Sequence, residues 1–392
     1  MKNKYLTTPQ LQAELEKCLQ CPTKPCLKAC PAQVSPADFI ALARKNEWAA
    51  AAAEIERQNP LGEVCGLICP EKFCMQACTR GHIDAPIRIP EVQAAIMQKA
   101  RLAQTVSAPQ TAPANGKKIA VIGLGPAGIS AIIALLKHGF SVTAYEKSVT
   151  VGGALNYIPE VRLPREVIAY EWQKWQNHPL LTVLFNQSVS DYGVLLAQGF
   201  DGVIVATGEQ KTRTLGIAGE NLAVQWTDYL GSPQKYADTK NVAIIGGGAV
   251  AVDCAATAKM QGAQNIEMFV RRRISDMRIT PQERRQLLTD EFNITTMTRP
   301  TKIEQNAHKL TIWTTKTRFN DGGKLEDEAQ TEIARHGFDL IVLALGSTRA
   351  EEIVPNKHII YAGDVLNGGS TAVEAIASGK AAAEEMIKNI NN

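Results

Sequence analysis

Eight of the nine cysteines in this 392-residue sequence fall between Cys18 and Cys78. They form two runs, Cys18-x2-Cys21-x4-Cys26-x3-Cys30-Pro and Cys65-x3-Cys69-Pro-x3-Cys74-x3-Cys78. Iron–sulfur clusters need thiolate cages, and four-cysteine sets with a proline after one ligand suit them. Zinc is the competing reading, but it usually pairs Cys-x2-Cys knuckles or adds histidines. Here there is one x2 spacing, and His82 is the sole nearby histidine. Eight thiols suffice by count for two 4Fe–4S clusters; spacing alone does not say which thiol joins which. Met1 to Gln12 is polar and lacks the apolar core of a signal peptide, so a disulfide framework is not expected and a cytoplasmic location is. Cys254 stands apart and reads as a small buried hydrophobe. With no partner cysteine nearby, it argues against a disulfide reductase with a redox pair beside a flavin.

Two glycine-rich turns carry the other chemistry. Lys118 to Ile122 reads as a short strand, followed by Gly123-Leu124-Gly125-Pro126-Ala127-Gly128 and a helical stretch. Glycines there admit a pyrophosphate onto the helix N-terminus. The next strand, SVTAYE, ends at Glu146, 18 residues after Gly128. A carboxylate at that point accepts from both ribose hydroxyls and repels a 2′-phosphate, so FAD or NAD fits and NADP does not. Gly152-Gly153 follows and lets the backbone approach the cofactor again. Near the end, Gly363-Asp364 closes a strand and a helix starts near Thr371. The positive end of that helix could face the pyrimidine edge of a flavin, which makes FAD the choice for this unit. Asp364 could hold the ribityl or pyrophosphate region, or act only as a turn residue.

The second turn is Gly246-Gly247-Gly248-Ala249-Val250-Ala251, with alanine in place of the third glycine. The strand after it, NIEMFV, runs into Arg271-Arg272-Arg273, where the first unit has Glu146, and Arg278 follows. Guanidinium groups there suit a 2′-phosphate. The reversal of charge assigns NADPH to this turn, with Gly246, Gly248, Ala249, Arg271, Arg272 and Arg278 as its contacts. A merely solvated basic run is the bland alternative.

The elements that position these groups fall into three zones. Residues 1–101 are helical in pattern, as in the alanine-rich stretch from Pro36 to Gln58 behind Ser35. Residues 102–117 read as a linker. The rest alternates short apolar strands with helices, a parallel-sheet α/β pattern. It also repeats: GFDGVIVATG at 199–208 resembles GFDLIVLALG at 337–346. We expect an FAD domain over 118–237 and 340–392, with an NADPH domain over 238–339 inserted in it. Composition is ordinary for a globular protein, at 45% hydrophobic and 21% charged. A net charge of +3 and the lack of a long apolar run point to neither nucleic acid nor membrane.

These motifs, in this order, resemble one family across almost the whole chain: the small subunit of bacterial glutamate synthase, the N-terminal half of dihydropyrimidine dehydrogenase, and that enzyme's separate bacterial small subunit. The matching pieces are CLQCPTKPCLKACP, NPLGEVCGLICPEKFCMQAC, APIRIPEVQ, GLGPAG, GGALNYIPEVRLP, the VRRR stretch and YAGD. The resemblance implies a helical iron–sulfur domain followed by two Rossmann-like domains of the glutathione-reductase type. It implies that Cys18, Cys21, Cys26 and Cys78 hold one 4Fe–4S cluster, and that Cys30, Cys69, Cys74 and Gln93 hold another, leaving Cys65 unligated. It further implies an oxidoreductase that passes electrons from NADPH through FAD and the clusters to a partner, within a hetero-oligomer. The partner would be an FMN-barrel pyrimidine dehydrogenase subunit or the glutamate synthase large subunit. Gln93 tilts the choice towards pyrimidine chemistry; the arginine run pulls the other way, because the bacterial pyrimidine small subunit is thought to prefer NADH. A stand-alone diaphorase or a nucleotide-sensing module are the rival readings.

Overall fold

The computed structural model describes residues 5–104, 111–209, 211–290, 292–350, 352–354 and 356–391. The chain divides into two compact units, one of 1–156, 160–210 and 349–392, the other of 157–159 and 211–348.

The first unit begins with the cysteine-bearing helices. Thr7 and Gln10 form a reciprocal cap at the start of Thr8–Glu16. Prolines open Pro25–Lys28 and Pro36–Arg44, where the missing N–H costs nothing. The alanine-rich stretch is two helices, Pro36–Arg44 and Trp48–Gln58. The chain turns between them at Asn46, whose φ of 61° lies in the left-handed region that asparagine tolerates. Helix Gly62–Ile68 then packs on Ile89–Leu102 so closely that a Cβ on Gly66 would stand 2.5 Å from the Ala94 nitrogen.

The same unit holds a five-stranded sheet in the order Ile359–Tyr361, Gly202–Val205, Lys118–Ile122, Ser141–Glu146, Leu181–Phe185. All its pairings are parallel. Helices Pro126–Lys137 and Ala372–Asn391 pack on each other, and a Cβ on Gly379 would lie 2.0 Å from the Ala127 carbonyl oxygen. The cysteine-bearing helices are pinned to this fold by Glu171, 1% exposed, which accepts from the backbone N–H of Glu63 (2.7 Å) and of Val64 (3.2 Å). Lys174–Glu56 and Lys380–Gln58 add polar contacts between the same parts. Residues 105–110 of the expected linker lie outside the described residues. Its remainder is docked: Ala112 N donates to Lys137 O and Asn115 N to Gly139 O.

The second unit has a parallel sheet in the order Val224–Gln225, Leu340–Leu343, Asn241–Ile245, Asn265–Val270, Asn293–Thr296. An antiparallel sheet built on Thr298–Asn306 and Lys309–Phe319 covers one face. This corrects the expected boundaries of 238 and 340. Leu340–Leu343 pairs with Val242–Ile245 on one side and with Val224–Gln225 on the other, so both segments belong to this unit. The internal repeat is real in three dimensions. Gly202–Val205 flanks Lys118–Ile122 in one sheet as Leu340–Leu343 flanks Asn241–Ile245 in the other. Among the described residues, no helix is long and apolar enough to cross a membrane.

Candidate functional site

In the first glycine turn, Gly123 has φ 101° and its N–H donates to Tyr145 O at 2.8 Å. A Cβ on Gly123 would stand 2.5 Å from Ala206 O, and one on Gly128 would stand 1.8 Å from Gly123 O. Both positions therefore need glycine for the strand and helix to meet. Gly125 caps helix Pro126–Lys137. The nearest atom to a Cβ there would be the Gly153 Cα at 3.9 Å, which leaves a bare cradle at the positive end of the helix. Glu146 is 5% exposed; its two oxygens accept from Leu124 N and Ser148 N, each at 2.8 Å. Each oxygen keeps a second lone pair, which suits ribose hydroxyls.

The C-terminal segment returns to the same turn. Gly363 has φ 73°, a Cβ on it would stand 2.8 Å from the Ala127 Cβ, and its N–H donates to Ser378 Oγ at 2.8 Å. Ser378 was not legible as a site residue; only the small-residue run around Gly379 hinted at close packing. Asp364 accepts from the Ser370 hydroxyl, and burial, with Glu374 nearby, raises its carboxyl above the usual range. Thr371 caps helix Ala372–Asn391: its N–H donates to Glu374 Oε2 at 2.9 Å, and Glu374 N donates back to Thr371 Oγ1 at 3.4 Å. The structure thus brings Gly123, Gly125, Gly128, Gly153, Gly363, Asp364 and Thr371 into one unit with Glu146, and these residues fit FAD.

The second turn repeats the geometry. Gly246 has φ 152°, and a Cβ on it would stand 2.2 Å from Ala344 O. Around a Cβ on Gly248, which caps Ala249–Met260, no atom lies within 4 Å. Ala251 is fully buried in the place of Gly128. Arg271, Arg272 and Arg278 follow the strand end, and their guanidinium groups have no acidic partner among the described residues. Partial burial, then repulsion by Arg272, Arg278, Arg213 and Arg299, lowers the pKa of Arg271. The backbone of Arg278 bridges that of Gly248, so this charge is tied to the turn itself. Arg273 is committed elsewhere, to Asp276 at 2.9 Å and over the Phe319 ring at 4.9 Å. The open cradle and the unpaired arginines fit a nucleotide that bears an extra phosphate.

The cysteines surround two recesses. Cys18, Cys21, Cys26 and Cys78 line one. Cys30, Cys65, Cys69, Cys74 and Gln93 line the other. Pro36 and Ile89 form part of both walls, and Val373 closes the second. Gln93 is 8% exposed, and its Nε2 donates to Gly62 O at 2.7 Å, which leaves Oε1 as a donor atom for a metal. Burial pushes the Cys65 and Cys74 thiols up to about 12 and raises Cys69, Cys18, Cys26 and Cys30 as well. A bound metal favours the thiolate form of such buried thiols. Among the described residues, no three of His, Cys, Asp and Glu form a group that could hold a single metal ion. Thiols spaced around a recess fit a multi-iron cage. Cys254 is fully buried and its thiol is raised well above its usual value by burial, as a core residue's would be.

The fold and the two sites define a pyridine-nucleotide oxidoreductase that carries a 4Fe–4S domain. Residues 1–105 match the family described as "Dihydroprymidine dehydrogenase domain II, 4Fe-4S cluster", and residues 117–379 match "Pyridine nucleotide-disulphide oxidoreductase". The chain belongs to the pyridine nucleotide-disulphide oxidoreductase family, in the branch of FAD- and 4Fe–4S-containing NAD(P)H oxidoreductases. It is 31% identical over 391 residues to the NAD-dependent dihydropyrimidine dehydrogenase subunit PreT of Escherichia coli O157:H7, covering 95% of this chain and 92% of that one. It is 30% identical over 287 residues to the NADP(+)-dependent formate dehydrogenase subunit beta of Moorella thermoacetica, covering 65% of this chain and 40% of that one. Among solved structures, FprA of Mycobacterium tuberculosis in complex with NADPH superposes with a TM-score of 0.60 at 17% identity, over 72% of this chain and 85% of that one, a likeness of fold.

Proposed function

We propose that this chain is the electron-input subunit of a heteromeric, dihydropyrimidine dehydrogenase-like oxidoreductase, taking a hydride from NADPH and delivering single electrons to a catalytic partner. One observation supports it above the others. Val373, in the first turn of the helix that Thr371 caps, walls the second cysteine recess, which shares Pro36 and Ile89 with the first. The capped helix that follows the Gly363-Asp364 turn thus contributes to the wall of the second recess, and Cys18, Cys21 and Cys26 at the first are partly exposed.

When bound, FAD and the clusters supply the conversion between hydride and single-electron chemistry. The chain's own residues bind and orient. Gly123, Gly125, Gly128 and Gly153 admit the FAD pyrophosphate, Glu146 accepts from its ribose, and Asp364 and the Thr371-capped helix face the remainder. Gly246, Gly248 and Ala249 admit the NADPH pyrophosphate, and Arg271, Arg272 and Arg278 take its 2′-phosphate. Cys18, Cys21, Cys26 and Cys78 hold one 4Fe–4S cluster; Cys30, Cys69, Cys74 and Gln93 hold the second. Hydride transfer asks no acid or base of the protein, so no side chain is assigned a catalytic proton.

The curated PreT relatives are named for NAD; the unpaired arginines argue for NADPH here. Gln93 favours an FMN-barrel pyrimidine dehydrogenase subunit as the partner, and the arginine run favours the second reading, the glutamate synthase large subunit. Anaerobic affinity purification from the native host, with mass spectrometry of stoichiometric companions, separates them. An FMN-barrel subunit supports the first reading and a large amidotransferase the second. A chain that purifies alone, and whose colour NADPH bleaches, overturns the subunit reading and leaves a diaphorase.

A further inference from the structure

The second recess offers more ligands than one cluster uses. Cys30, Cys65, Cys69, Cys74 and Gln93 all line it, whereas a 4Fe–4S cluster takes one protein ligand per iron. Cys65 is the supernumerary thiol, and its setting is that of a ligand. It is 2% exposed, so its sulfur is turned from solvent. It lies one helical turn before Cys69, whose N–H donates to Cys65 O at 2.8 Å, and residues so spaced share a helix face.

Asn59 strengthens this reading. It is 1% exposed, and its Oδ1 accepts from Leu61 N at 3.0 Å, which sets the orientation of its carboxamide. The same side chain lines the recess beside Cys65. Gln93 stands across the recess on the packed helix Ile89–Leu102. Gly66, one residue after Cys65, has no room for a Cβ against the Ala94 nitrogen, one residue after Gln93. The close contact of the two helices thus places Cys65 and Gln93 at one recess.

We infer that Cys65 is the alternative fourth ligand of the second cluster, able to replace Gln93. The exchange breaks an Fe–Oε1 bond, forms an Fe–Sγ bond and releases the thiol proton to water. No electron moves, and the cluster site becomes one charge more negative, which lowers its reduction potential. The inference rests on the assignment of Gln93 above, and the test separates the two.

The test uses the full chain, anaerobically reconstituted with iron and sulfide, in the variants Gln93→Ala, Cys65→Ser and the double variant. The readouts are iron and sulfide per chain, EPR of the reduced clusters and a redox titration, with flavin content as the control for folding. The expected result is wild-type iron in both single variants, a lower midpoint potential and altered EPR in Gln93→Ala, and half the iron in the double variant. Half the iron in Gln93→Ala alone overturns the reserve role of Cys65 and leaves Gln93 as the ligand. Half the iron in Cys65→Ser with Gln93→Ala unchanged makes Cys65 the standing ligand and overturns the Gln93 assignment. Full iron in the double variant overturns both.

Discussion

The two nucleotide turns share a backbone and differ in what stands beside it. Gly123 and Gly246 both have positive φ, and each faces a carbonyl oxygen of the neighbouring strand segment, Ala206 or Ala344. At the end of the adjoining strand the first unit has Glu146, buried and engaged by two backbone N–H groups. The second has Arg271 and Arg272, without acidic partners among the described residues. A carboxylate can spend half its acceptor capacity on its own backbone and still meet a ribose. The guanidiniums have no such internal partner among the described residues, and an anion from outside would ease the repulsion that Arg271 feels from its neighbours. The charge beside the first turn is engaged by the protein's own backbone; the charge beside the second is not.

The sharpest way to break this comparison is at the third position of each turn. Gly128→Ala puts a Cβ 1.8 Å from Gly123 O; purified protein is expected to lack flavin absorbance and to melt earlier, with about 3 kcal/mol lost to overpacking. Ala251→Gly at the matching position should cost only about 1 kcal/mol of helix propensity and leave NADPH affinity in place. Next comes the phosphate contact. Arg271→Ala should weaken NADPH roughly 10- to 100-fold, the worth of a charge-assisted hydrogen bond, and leave NADH nearly unchanged in equilibrium titrations. Equal weakening of both cofactors refutes the 2′-phosphate assignment. Glu146→Gln replaces one acceptor with a donor facing a backbone N–H. FAD retention in a dialysis series should fall about five-fold, near 1 kcal/mol. The smallest effect is expected for Arg273→Ala, since that side chain is held by Asp276 and Phe319. If it weakens NADPH as much as Arg271→Ala does, position along the run does not decide which arginine meets the phosphate.

Local sequence carried the turns well, because strand, glycine spacing and strand-end charge are all properties of contiguous residues. The strands Lys118–Ile122, Ser141–Glu146 and Asn265–Val270 lie where β-branched runs placed them. What failed was contact between distant segments. The run Leu340–Leu343 looks, residue by residue, like Gly202–Val205, and only strand pairing shows that it belongs to the second sheet. The break at Asn46 was hidden inside an alanine-rich stretch with strong helix propensity on both sides. Spacing could not sort the cysteines, because Cys30 and Cys65 are separated by two helices that fold back to bring both to one recess. Pro36, Ile89 and Val373 carry no chemical signature at all; their importance is purely positional.

The way the thiols are dealt between the recesses has a consequence for biogenesis. The first is lined by Cys18, Cys21 and Cys26 from the start of the chain and by the distant Cys78, while the second is lined by Cys30 and by the distant Cys65, Cys69, Cys74 and Gln93. The two sets are interlocked like the halves of a clasp. A chain emerging from the ribosome cannot complete the first recess before Cys78 has appeared or the second before Gln93 has, and a shorter product would leave thiols open to scavenging metals or oxidants. Each recess is therefore complete only once thiols from both cysteine runs are in place.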